Sequence, residues 1–283
     1  MVNELSPERA RQVLDMLTHG GAMDGINTSL ALRLIPLAVE LGDDELVTRL
    51  LDHASVVAED DVERGWARFE GMKIMKASAN SMLDLAENAE TMELGNPLAA
   101  AVHHHVALMQ MSDGALDEAR AIATRSLRLR EQLQDLNGMA YGLALLMAIA
   151  KKQNDFETAI SLGTERLELV TKLGKHVAQM EAVAELAHCK ATIGEFEASR
   201  ELYNDSLEQA VELGSISGQL VARWGLADLA EIGEDYESAM LVLSDLIHAY
   251  MAEGLPAPQQ VKRRIEALTQ LKQTPQKGDE GSQ

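Results

Sequence analysis

The stretch GEFEASREL at residues 194–202 returns with small changes forty residues earlier, as NDFETAISL (154–162), and forty later, as EDYESAMLV (234–242). The register holds well beyond the phrase. Leu116, Phe156, Phe196 and Tyr236 form one column, and Ala119, Ala159, Ser199 and Ala239 form another. Ile122, Leu162, Leu202 and Val242 align, as do Leu127, Leu167, Leu207 and Ile247, and so do Val106, Leu146, Leu186 and Leu226. So many columns matching without an insertion mark tandem structural units.

Within a unit the apolar positions advance by three and four, which places one stripe of a helix against its neighbours. A second helical segment precedes each phrase; over 138–153 its inward positions are Ala140, Leu143, Leu146, Met147 and Ala150. Short polar joints such as QND (153–155) connect the two segments, so the unit is a helical hairpin. The small residues at 119, 159, 199 and 239 let two helix axes approach to about 8–10 Å. Asp117, Glu157, Glu197 and Glu237 fall in first turns, where the helix dipole favours negative charge. Leu133, Leu173 and Leu213 mark last contacts, and Gly174 and Gly214 mark helix stops.

The phrases GEFEAS (194–199), NDFETA (154–159), EDYESA (234–239) and GALDEA (114–119) resemble the tetratricopeptide repeat (TPR) family, in a long-helix variety with a forty-residue period. The resemblance covers residues 98–253 and departs from the family in two ways. The helix-breaking proline between units is missing, and His103, Leu143, Val183 and Arg223 stand where the family has an early tryptophan. It implies an all-α fold, a right-handed superhelix of stacked antiparallel helical hairpins, or α-solenoid.

Upstream the period decays. The expected organisation is degenerate N-terminal helical repeats over 1–96, regular repeats over 97–254, a capping helix over 255–272 and a disordered tail over 273–283. Pro36 should kink or divide its segment, and Asn96 before Pro97 suits an N-cap. Val261, Ile265, Leu268 and Leu271 give the capping helix one apolar stripe.

Composition narrows the function. The net charge of −20, with 25 basic against 45 acidic residues, repels nucleic-acid phosphates and anionic lipid surfaces. Neither a membrane-spanning apolar run nor a secretory leader is read, so a cytoplasmic protein is expected. Cys189, the one cysteine, lies in a core column and reads as a buried thiol. The consecutive histidines 103–105 point about 100° apart on a helix, whereas ligands sharing one ion usually come at i and i+4. No metal and no cofactor is therefore expected. Pairs such as Asp43 and Asp44, or Glu59 to Asp61, fall at turns and read as caps. No phosphate-cradling loop, zinc-protease helix or serine elbow is present, and the expectation is a non-enzyme.

In the resembled family the first helix of each hairpin lines a concave groove. Its columns hold here Ala101, Tyr141, Glu181 and Val221; His104, Ala144, Ala184 and Trp224; Leu108, Ala148, His188 and Asp228; and Met111, Lys151, Ala191 and Glu231. The lysine and asparagine clamp that some members use for a terminal carboxylate is missing from these positions. His104, Tyr141, Lys151, Glu181, His188, Trp224 and Asp228 are the candidate contacts. The function expected is a protein- or peptide-binding adaptor or regulator, with a self-assembling homo-oligomeric scaffold or a peptide-sensing module as alternatives.

Overall fold

The computed structural model describes residues 7–273, and among them the fold is all helical. Five shorter helices come first: α1 (Pro7–Thr18), α2 (Thr28–Glu40), α3 (Asp44–Val57), α4 (Asp61–Ile74) and α5 (Ala79–Glu90). Eight helices of seventeen residues follow, each starting twenty residues after the last: α6 (Asn96–Ser112), α7 (Leu116–Gln132), α8 (Leu136–Lys152), α9 (Phe156–Lys172), α10 (His176–Thr192), α11 (Phe196–Glu212), α12 (Ile216–Ile232) and α13 (Tyr236–Ala252). The last described helix is α14 (Gln259–Gln273).

The twenty-residue spacing has a backbone cause. Gly114, Gln134, Asn154, Gly174, Gly194, Gly214, Glu234 and Gly254 all adopt positive φ, between 54° and 85°. One left-handed residue just past a helix end lets the next amide turn back onto the helix, closing a Schellman motif. Those bonds run from Ala115 N to Gln110 O, from Asp135 N to Arg130 O, and so on every twenty residues to Leu255 N and Tyr250 O, at 2.8–3.0 Å. The residue after the left-handed one often starts the next helix. Asp155 accepts from Thr158 N at 3.1 Å, Ser215 from Gly218 N at 3.1 Å and Asp235 from Ser238 N at 3.0 Å. With stop and start only three residues apart, consecutive helices lie antiparallel.

The chain divides into two compact units, at Gly142 and Leu143 inside α8. In the first, α2 packs on α3, α5 on α6 and α6 on α7. Leu17, Leu34, Leu46 and Leu50 fill the core at its beginning, and Met82, Leu98, Val102 and Val106 the core further on. Ser126 donates to Ala100 O at 2.7 Å, so its buried hydroxyl is satisfied.

In the second unit α9 and α11 pack on α10, α11 and α13 on α12, and α14 on α13. Ala159, Ser199 and Ala239 are fully buried, as the column of small residues requires, and Ser199 donates to Ala187 O at 2.7 Å. Ser206 donates to Met180 O at 3.1 Å, repeating the Ser126 bond eighty residues later. Val261 and Leu268 of α14 are buried with Ala230, Leu243 and Leu246.

Several local expectations change. Helix α2 runs through Pro36 undivided. Asn96 is the first helical residue rather than the cap; Gly95 precedes it without a side-chain bond, and Pro97 occupies the first turn, where its missing N–H costs nothing. Leu271, expected on the apolar stripe of α14, stays exposed, next to Lys272, which pairs with Glu237 at the start of α13. Helix α14 extends through Gln273, and residues 274–283, expected to form a tail, lie outside the described residues.

The acidic turns do act as caps. Asp43 accepts from Leu46 N at 2.9 Å and Asp60 from Glu63 N at 2.7 Å.

Candidate functional site

In the second unit the inner faces of α10 and α12 stand side by side. Helical spacing aligns Glu181, Ala184, Glu185 and His188 on α10 with Val221, Trp224 and Asp228 on α12. Ala184 is a buried small residue on the lining, which keeps the middle of the α10 face low. Lys151 enters from α8, Tyr203 and Ser206 rise from α11 to form a floor, and Gln260 of α14 closes one edge. The cavity so enclosed measures about 730 Å³. Past His188 and Asp228 it continues into a second hollow of about 500 Å³, bounded by Ala191, Thr192, Glu231 and Ile232.

Two glycines on α12 shape the floor. A Cβ at Gly225 would stand 2.5 Å from Cε1 and Cε2 of Tyr203, and one at Gly218 would stand 2.5 Å from Sδ of Met180. Their bare backbone is what lets the tyrosine ring and the methionine pass beneath the helix.

The charges are organised from outside the cavity. Arg166 of α9, buried among helices, donates to Glu185 Oε2 at 2.7 Å and pairs with Glu181 at 3.6 Å. From the other side Arg264 of α14 lays its guanidinium 4.5 Å from the centroid of the Trp224 ring. Its Nε donates to Glu231 Oε1 at 2.7 Å, and its Nη2 reaches Asp228 Oδ1 at 2.5 Å. Burial pushes the His188 pKa down, and Lys151 pushes it the same way against Asp228 and Glu185, so the ring is neutral near pH 7. Tyr203 is pushed up to about 12 by burial and then by the Asp228 charge, which keeps its hydroxyl protonated. Burial also raises Cys189, whose thiol is enclosed with Met147, Ala150 and Ala159.

Five of the seven expected contacts, Lys151, Glu181, His188, Trp224 and Asp228, thus line one cavity. The other two belong to the first unit: Tyr141 is 63% exposed on the first half of α8, and His104 is half-buried on α6. The three adjacent histidines part company as helical geometry demands. His103 is buried, with Nε2 2.9 Å from Glu90 Oε1, while Arg125 donates to Glu90 Oε2 at 2.9 Å. Burial holds His103 neutral despite that carboxylate, so Arg125 is the cation that Glu90 pairs with. His105 meets Phe69 edge-on, with ring centroids 5.7 Å apart. Among the described residues no three His, Cys, Asp or Glu side chains are grouped to hold a metal ion. None of the described helices is long and apolar enough to cross a membrane.

His104 yields a pH prediction. Burial, then Arg130 and His105, push its pKa down to about 4, against about 6.5 in an unfolded chain. Between these values the unfolded chain binds a proton that the folded one refuses, so stability falls as pH drops from about 6.5 to about 4. His104→Gln is expected to lose less stability than the wild type over that interval, as read from urea midpoints across the range. Parallel curves would show that His104 does not contribute to the acid limb.

Tyr203, Ser206, Met180, Arg166, Arg264 and Gln260 were not among the expected contacts. Met180 lies on α10 itself, in a column that reads as core; the others reach the site from the second helix of a hairpin or from α14, and a column alignment of first helices does not sample those positions. The exchange of sizes at Tyr203 and Gly225 was the available signal.

No family model matches the sequence, and no curated protein does. Similar solved structures exist. A signal transduction ATPase with numerous domains from Pyrococcus horikoshii, described as having a tetratricopeptide repeat sensor, superposes with a TM-score of 0.65 at 14% identity over 93% of this chain. The matched region is 39% of that longer protein. The apo form of RapI gives 0.59 at 11% identity over 87% of this chain and 99% of its own. Aspartyl phosphate phosphatase F from Bacillus subtilis gives 0.58 at 14% identity, covering 100% of this chain and 80% of its own. At such identities the likeness speaks to architecture, and it agrees with the forty-residue hairpins and their joints: this chain has the tetratricopeptide-type helical-repeat fold.

Proposed function

We propose that the cavity between α10 and α12 binds a peptide or an extended protein segment, and that the chain acts as a non-enzymatic adaptor or regulator. The observation that carries this is the convergence of Trp224, His188, Asp228, Glu181 and Lys151 on one concavity with a tyrosine and methionine floor. Its volume lies within the range of about 300–1,000 Å³ typical of ligand sites, and the adjoining hollow extends it along the helices, as a linear segment requires. Aromatic side chains beside hydrogen-bonding groups supply the anchors common to such interfaces. The polar groups are arranged for recognition: Arg166 holds Glu181 and Glu185, Arg264 holds Asp228 and Glu231, and the one thiol is buried. The description of the Pyrococcus horikoshii repeat region as a sensor supports the same reading.

Selection from a displayed random-peptide library on the immobilised chain tests it. Peptides recovered on the wild type are expected to lose about tenfold or more in affinity for His188→Ala and for Val221→Lys, a bulky charge at an exposed wall position. Both variants should keep their helical signal. Recovered peptides indifferent to both changes would place recognition elsewhere and remove the proposal.

A further inference from the structure

Helix α14 brings something of its own to the cavity. Arg264 lies with its guanidinium over the Trp224 ring, its side chain only 14% exposed, and reaches Asp228 and Glu231 together. An aromatic face under a guanidinium, with carboxylates at its edge, is the full set of groups that recognises an arginine. We propose that this is an arginine-recognition site, that the groove's ligand is a basic peptide segment whose arginine takes it, and that Arg264 is a competitor built into the chain.

Three observations favour this occupant. Of the carboxylates along the two hollows, Glu181 and Glu185 are already paired with Arg166, whereas Asp228 and Glu231 are paired with Arg264, so displacing that one side chain frees two negative charges in a chain that carries −20. Their charge suits a cationic ligand and repels an acidic one. Asp228 lies where the hollows meet, so an arginine there would sit midway along a bound segment. Arg264 is also an imperfect tenant: its Nη1 is buried without a hydrogen-bond partner among the described residues. A guanidinium arriving on a flexible chain can adjust to satisfy that face, whereas one fixed on a packed helix cannot. Among the described side chains of α14, Val261 and Leu268 are buried against α13 with Ile265 beside them, which fixes the reach of Arg264, and the non-helical segment 255–258 links the helix to α13.

The proposal rests on the peptide-binding reading above, and its test is separable from that one. The probe is N-acetyl-argininamide, with N-acetyl-lysinamide and N-acetyl-glutamamide as comparisons, titrated into the full chain and followed by calorimetry. Arg264→Gln removes the resident charge while keeping a polar chain, and circular dichroism checks that the helices remain. The argininamide is expected to bind Arg264→Gln about tenfold or more tightly than the wild type, as the loss of a charged competitor implies. Adding Asp228→Asn to that variant should abolish the gain. Equal affinity in wild type and Arg264→Gln, no detectable binding to either, or a preference for the glutamamide would overturn the proposal. Should Arg264→Gln unfold, peptides selected on the wild-type chain decide: enrichment in arginine, with loss of binding in Asp228→Asn, supports the site. Groove-dependent peptides without arginine overturn it and leave the binding reading intact.

Discussion

A Gly225→Ala chain is expected to unfold at lower urea, with a loss of about 2 kcal/mol, within the range of about 1–3 for overpacked sites. The new methyl group would lie 2.5 Å from two ring carbons of Tyr203, a residue 5% exposed and enclosed with Ala187, Leu226 and Leu229. A ring so confined cannot swing aside without disturbing α11 or α12. Helix propensity pulls the other way, since alanine is favoured over glycine inside a helix by about 1 kcal/mol, so a net loss isolates the clash. Tyr203→Leu should relieve it. The double variant is expected to be less destabilised than the sum of the single changes by about 1 kcal/mol or more. Strict additivity in urea unfolding would mean that the ring and Gly225 do not meet. Because Tyr203 is also the cavity floor, Gly225→Ala should weaken the peptide binding proposed above through the shape of the site, with every lining side chain still present.

The larger loss is expected at Leu246. Its side chain is fully buried in the cluster that joins α13 to Val261 and Leu268 of α14. Leu246→Ala removes the packed methyl groups and leaves a cavity, which in such cores costs about 3 kcal/mol or more. Contacts in stacked repeats are made with neighbours only, so the damage should stay near that end of the chain. Hydrogen exchange is the suitable measurement. Amides of α13 and α14 are expected to exchange faster by about two orders of magnitude, while those of α2 and α3 keep their protection. Uniform acceleration would show that the chain unfolds as one cooperative block.

Both expectations depend on packing that the sequence revealed unevenly. The hairpins were legible because each carries the same few residues: the small side chain at 119, 159, 199 or 239 allows close approach, and a left-handed residue comes at each joint. At Gln134 and Glu234 that backbone state is held without glycine, so composition hid it and only the period exposed it. Helix starts were less legible, as at Asn96, where a cap and a first turn differ by one residue and similar chemistry suits both.

The site was half visible. Side chains from the first helices of the units, such as Trp224, His188 and Asp228, fall on the columns that the forty-residue register and the family resemblance assign to one face. What the period conceals are the exceptions to it. Tyr203 and Gly225 reverse the size order of the aligned pair Gly163 and Glu185, and that reversal moves an aromatic ring from one helix layer beneath the next. Arg264 belongs to a helix that enters three residues late relative to the twenty-residue beat, so its reach to Asp228 depended on an offset that alignment does not supply.

The joints have a consequence for how such a chain can change length. Since every one leaves a helix through the same left-handed step and the same backward amide bond, the backbone departs from residue 174 as it does from residue 214. Excising the forty residues between them, or copying them in place, rejoins the chain in an equivalent conformation, and only the side chains at the seam must be reconciled. Lineages can therefore lengthen or shorten the molecule by whole hairpins through unequal recombination, and the length of surface its helices present becomes a matter of counting.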